Sequence, residues 1–235
     1  MRSINLSASS IKGFLSCSQS YYYRINYPES AIQTPSMKIG TAIHNLLESA
    51  YGNTPEVLYK SGEASIKELN LSKRDYKYGL EKLNKCMVTY FHYFNHLVYE
   101  DDLIETNFKL LLEDNIYVVG RIDRLNVERG TVIDWKTSYK DPLFINTDVQ
   151  FLLYKYAFQR LYNKMPTLVL YANLFTGKLL SLNDKDNVNY NMLIDDIIPY
   201  IISRIKNNEF YREGIEKGIC NRCPYRNICL DTLEK

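Results

Sequence analysis

Val119-Gly120-Arg121-Ile122-Asp123 and, one turn later, Val132-Ile133-Asp134-Trp135-Lys136-Thr137 are the stretches on which the reading of this chain turns. Both are β-branched and aromatic runs interrupted by charge, and Glu128-Arg129-Gly130 between them reads as a turn. They predict strands over 116–127 and 131–137. With 103–112 and the turn Glu113-Asp114-Asn115, they make three antiparallel strands. Side chains alternate along a strand, so Asp134 and Lys136 share a face. The Val and Ile flanks imply burial, and a buried strand carries charge at a cost unless that charge is paired or bound. Asp123 and Asp134 would offer hard oxygen ligands suited to Mg²⁺ or Mn²⁺. Lys136 beside them could orient or help deprotonate a water, or steady the charge on a phosphate. Taken alone, D-x-K is a short motif that chance supplies often, as a salt bridge on a half-exposed strand.

The register sets a condition. With a three-residue loop at 128–130, Asp134 opposes Arg124, and Asp123 points to the other face. The two carboxylates converge only if the register shifts by one, through a four-residue loop or a bulge. Gly130 is placed to take positive φ in such a turn.

Around this centre the 235 residues read as one large domain, or one domain with an appendage. Hydrophobic residues at 46% and charged residues at 24% are globular values, which exclude disorder and a collagen-like chain. A net charge of +2 means that any basic groove must be local. No apolar run is long enough to span a membrane, and the N-terminus lacks an apolar signal core. Helices are expected within 6–27, over 38–51, through most of 63–99, over 147–163 and over 188–208, where Pro199 marks a kink. Loops are expected at 28–37, from Pro28 and Pro35, and at 52–62, from Gly52, Pro55 and Gly62. A strand pair, 167–175 and 178–183, flanks Thr176-Gly177. The sum is a mixed α/β core with a helical insertion.

Five cysteines without a signal peptide favour metal binding over disulfides. Cys220, Cys223 and Cys229 form C-x2-C-x5-C, and Cys17 lies far upstream. Four thiolates make a complete shell for Zn²⁺ or for an iron–sulfur cluster, and spacing alone does not choose between them. Zinc ribbons usually show two close pairs, whereas this chain has one pair and two single cysteines. The apolar-poor tail would gain its folding energy from metal. Cys86 reads as a buried filler. His92 and His96, one helical turn apart without a third ligand, read as packing residues.

The ordered set Gly40-x3-His44, Gly120-Arg121-Ile122-Asp123, Asp134-x-Lys136 and Gln150-x3-Tyr154 resembles the RecB-type branch of the PD-(D/E)XK nucleases. The N-terminal stretch from Ser7 through Cys17 to Tyr22-Tyr23-Arg24 is similar to the opening of that branch, with Ser18 where relatives often carry Pro. The resemblance implies a restriction-endonuclease-like core, a central mixed sheet flanked by helices. It implies a nuclease core over 1–213 with a helical insertion at about 52–100, and a tail, 214–235, that closes an iron–sulfur site with Cys17. His44, Asp123, Asp134 and the Trp135 carbonyl would be metal ligands, and Lys136 the catalytic lysine. Gln150 and Tyr154 would line the DNA path, and Glu105 is a further acid near the metal. One early cysteine with a C-terminal C-x2-C-x5-C resembles the [4Fe-4S] staple of RecB-like nucleases, including AddB and the CRISPR-associated exonucleases.

The expected activity is that of a Mg²⁺- or Mn²⁺-dependent DNA exonuclease in recombination, repair or DNA processing, acting on single strands or DNA ends. Tyr22 and Arg24 supply a stacking ring and a phosphate-binding cation, with alternate tyrosines of Tyr21-Tyr22-Tyr23 expected to be buried. Lys38, Arg121 and Arg124 are further phosphate candidates. Expected partners are DNA, a helicase, recombination or CRISPR adaptation proteins, or a second copy of the chain. The expected place is the cytoplasm, or the host cytoplasm for a viral chain. Two rivals remain: a nuclease-like subunit that grips DNA or a partner without cutting, and a zinc-stapled structural protein.

Overall fold

The computed structural model describes residues 3–27, 33–183 and 187–231. In chain order it contains β1 (Ile4–Leu6), α1 (Ala8–Ser16), α2 (Ser18–Asn26), α3 (Pro35–Leu46), α4 (Pro55–Glu68), α5 (Lys73–Thr89), β2 (Leu103–Glu113), β3 (Ile116–Asn126) and β4 (Thr131–Lys136). There follow α6 (Val149–Tyr162), β5 (Leu168–Asn173), β6 (Leu179–Ser181), α7 (Val188–Asn191), α8 (Ile198–Lys206), α9 (Glu213–Glu216) and α10 (Arg226–Asp231). The chain forms two compact units, Gln33–Phe108 with Gly120–Asn183, and a second built from Met1–Ile32, Lys109–Val119 and Asp184–Lys235. Among the described residues no helix is long and apolar enough to cross a membrane.

The first unit carries a mixed sheet. β3 runs antiparallel to β4, β4 parallel to β5, and β5 antiparallel to β6. A parallel neighbour needs a long crossover, and α6 supplies it between β4 and β5. Ile133 and Trp135 enter one apolar core with Ile39, Ile43, Leu58, Ile66, Leu83, Tyr90 and Phe94 from α3, α4, α5 and the wide turn Tyr90–Phe94 that continues α5. Asp134 and Lys136 turn the other way, toward α6. Helices therefore flank the sheet.

The expected loop at 52–62 is corrected: α4 begins at Pro55 and runs through Gly62. Thr54 caps it, accepting from the Val57 N–H, and proline in the first turn gives up an N–H that has no helical acceptor there. Thr34-Pro35 begins α3 in the same way, so the expected loop at 28–37 ends by 34, and 28–32 lie outside the described residues. Three antiparallel strands also understate the sheet, since β4 pairs in parallel with β5.

In the second unit β1, a strand not expected from sequence, pairs in parallel with the start of β3, Ile4 opposite Ile116 and Leu6 opposite Val118. Ser7 caps α1 in a reciprocal pair with Ser10. Cys17 breaks α1 from α2 with φ −163° and ψ 110°. Ser18 is fully buried, and its N–H donates to Glu213 Oε2 at 3.0 Å. The Arg204 guanidinium donates to the Ser18 hydroxyl at 3.0 Å and to Glu213 Oε1 at 3.1 Å. This polar hub ties the N-terminal helices to the start of the tail. Pro199 stands in the first turn of α8, after a widened π-type turn, Met192–Ile197, where the helix accommodates it.

Candidate active site

The register decides the site. Arg124 pairs with Ile133, Leu125 with Val132 and Asn126 with Thr131, so the loop has four residues, 127–130, and Gly130 takes φ +66°. This is the shift by one that brings Asp123 and Asp134 together. Beyond Arg124–Ile133 the Trp135 N–H finds its acceptor in a side chain, donating to Asp123 Oδ2 at 2.8 Å. Asp123 and Asp134 are 8% and 1% exposed.

α3 brings in the histidine. Gly40 permits the approach, because a Cβ there would stand 3.2 Å from Thr137 Oγ1, at the end of β4. One turn later His44 Nε2 contacts the Trp135 carbonyl oxygen, and Nδ1 lies 3.6 Å from Asp123 Oδ2. β2 supplies Glu105, which takes φ +49°, a left-handed conformation that is strained for a non-glycine residue. His44, Glu105 and Asp123 offer ligand atoms all within 4.8 Å of one another. Asp134 is outside that trio. Its Oδ1 accepts from the Tyr154 hydroxyl at 3.0 Å and from Gln150 Nε2 at 2.9 Å, and its Oδ2 lies 2.7 Å from Lys136 Nζ. Lys136 also donates to Gln150 Oε1 at 3.0 Å.

The electrostatics follow from burial. Burial pushes the Asp123 carboxyl up to about 8, and the charge of Asp134 adds to the effect. Burial holds His44 below the usual imidazole range, against the pull of Asp134, so the ring is neutral and fit to be a ligand. Burial alone would lower Lys136, but the charge and hydrogen bond of Asp134 leave it above the ordinary ammonium value. Three carboxyl groups thus crowd beside a neutral imidazole. Two of their oxygens lie against cations, Glu105 Oε2 against Arg121 Nε and Asp134 Oδ2 against Lys136 Nζ. That donor set fits a divalent cation.

A model of the PD-(D/E)XK nuclease superfamily matches residues 5–230. The chain belongs to that superfamily. No curated protein matches it. Asp134 and Lys136 stand together on β4, with Asp123 on the neighbouring β3.

Other expected residues fall differently. Tyr154 is 4% exposed, and its hydroxyl lies 3.0 Å from both Asp134 Oδ1 and the Arg121 carbonyl oxygen, so its contacts are those of a positioning group behind the acid. Arg124, a phosphate candidate, is corrected: it is 2% exposed, pairs with Asp102 at 3.1 Å and donates to the Leu47 carbonyl. Its neighbour Arg121 is half-exposed and contacts Glu105 through Nε. In the second unit Tyr21 and Tyr23 are buried and Tyr22 is partly exposed, the expected alternation. The Tyr22 ring packs 5.3 Å from Phe210, and Arg24 donates to the Ser9 hydroxyl. Cys17, Cys220, Cys223 and Cys229 line one cavity there, and none of them is in a disulfide. Sequence reasoning missed the hub at Ser18, Arg204 and Glu213; a buried arginine announces itself only through partners remote in the chain.

Proposed function

We propose that this chain is a metal-dependent deoxyribonuclease, an exonuclease that trims single-stranded DNA or DNA ends in recombination, repair or DNA processing. One observation carries the reading: His44 and Asp123 face each other beside the Trp135 carbonyl, while Lys136, Gln150 and Tyr154 hold Asp134 on the next strand. His44, Asp123 and the Trp135 carbonyl, with Asp134 and Glu105, would hold Mg²⁺ or Mn²⁺. Such an ion polarises the phosphodiester and lowers the pKa of a water. Lys136, kept charged by Asp134, would neutralise negative charge gathering on the phosphate oxygens, and its raised pKa favours that role over taking a proton. Gln150 touches both Asp134 and Lys136 and would fix their spacing.

Cys17, Cys220, Cys223 and Cys229 would hold a structural [4Fe-4S] cluster, as in the RecB-like branch. Their shared cavity and the lack of a disulfide among them support this. A helicase, recombination or CRISPR adaptation proteins, or a second copy, would be partners in the cytoplasm.

The test is anaerobically purified protein with end-labelled single- and double-stranded DNA, in Mn²⁺ or in EDTA, with iron and sulfide assays alongside. Labelled ends should be released in Mn²⁺ and not in EDTA. Intact DNA in Mn²⁺, or equal cutting by Lys136→Ala, would overturn the reading.

A further inference from the structure

The loop between β4 and α6 leaves the candidate site at Lys136 and returns to it at Gln150, whose side chains meet at 3.0 Å. Its two ends are therefore closed on the site, as in a compact surface loop. On the outgoing side Asp141 Oδ1 accepts from the Tyr171 hydroxyl at 2.8 Å, Asn173 Nδ2 at 2.6 Å and Thr176 Oγ1 at 3.0 Å. Asn173 also donates to the Ser138 carbonyl at 2.9 Å. On the returning side Ile145 is fully buried, and Asn146 accepts from the Asn183 N–H at 2.8 Å.

Between these pinned flanks stand two large apolar side chains, Leu143 at 90% and Phe144 at 59% exposure. A single exposed leucine carries no message. Two adjacent ones on a tip whose flanks are fixed, with Pro142 restricting the backbone just before them, do. Tyr139 on the same loop shows the contrast: it is exposed too, but its ring packs 4.3 Å from Phe175 and 6.1 Å from Tyr78. No ring packs on Phe144 among the described residues.

We propose that Leu143 and Phe144 are a base-stacking wedge, which packs against the nucleobases of the DNA strand entering the site and holds that strand unpaired. The proposal rests on the deoxyribonuclease reading and adds what the site selects. The occupant follows from position and chemistry. The loop is closed at Lys136, proposed to neutralise charge on the phosphate, exposed Lys140 adds positive charge beside the tip, and nucleobases are the flat apolar part of that ligand. Phe and Leu are the side chains that enter base steps, and an aromatic face stacks on any base.

The experiment measures fluorescence anisotropy in EDTA, which prevents cutting. It compares a single-stranded oligonucleotide with an abasic strand of equal length and charge. The wild-type protein should bind the base-bearing strand about tenfold more tightly, the range of one good stacking contact. Leu143→Ser with Phe144→Ser should bind the two strands equally, with abasic affinity unchanged. Phe144→Trp should keep the preference. A double variant that keeps the preference, or that weakens both strands alike, overturns the wedge, as does a wild-type protein without preference. Each of those outcomes leaves the nuclease reading standing. A wild-type protein that binds neither strand and releases no end in Mn²⁺ overturns both.

Discussion

Asp134 and Lys136 ride on a strand whose other face, Ile133 and Trp135, is buried in the helical core, whereas Cys220 and Cys229 ride on elements of three and six residues. The carboxylate–lysine centre is held by sheet register and by hydrogen bonds from α6, all formed by protein groups. The cysteine centre lines a cavity, and the elements around it are too short to be stable by themselves. Folding should thus set the first site before any ion arrives, while the second depends on what its thiols bind.

Lys136→Ala should separate chemistry from folding most sharply. DNA cleavage should fall by about 10²–10³-fold or more while iron content and the thermal midpoint stay near wild type. A large fall in midpoint would mean that the lysine is structural. Cys220→Ser should strike the other centre. Iron should be lost, and limited proteolysis should cut first within 207–231, while Mn²⁺ binding to the carboxylates, followed by calorimetry, persists. If the tail stays protected without iron, burial rather than metal holds it.

Arg124→Ala should cost about 3–5 kcal/mol in urea unfolding, because it strands Asp102 as a buried, unpaired charge. Mn²⁺ affinity should rise with pH, by up to about tenfold per unit, and level off above about 8. The sign follows from Asp123. Its raised pKa means that the folded, ion-free site holds a proton below about 8, and the cation must displace it. Binding that is flat from pH 6 to 8 would remove Asp123 from the ligand set. Ser18→Ala is the smallest change. It removes a hydroxyl that serves Glu213, Arg204 and the Tyr211 backbone, and should cost about 1–2 kcal/mol without altering cleavage.

Much of the site was legible because it is written in local rules. Alternation put Asp134 and Lys136 on one face, Gly130 marked the turn, and Gly40-x3-His44 spaced one helical turn. Glu105 was harder to weigh, because its approach depends on a left-handed residue inside β2, which no residue pattern there announces. Pro55 misled because proline both breaks helices and begins them, and only the Thr54 cap distinguishes the two. Arg124 misled because Asp102, its partner, comes from another element, and charge alone says nothing of burial.

The sequence by itself determined the elements that obey near-neighbour physics: the strands around the acids, the turn between them, and the ordered pattern that marks the nuclease superfamily. Tertiary structure alone decided how the acidic oxygens meet and which arginine is buried. Those outcomes depend on register and on contacts between residues far apart in the chain, where packing of the whole unit selects the partner.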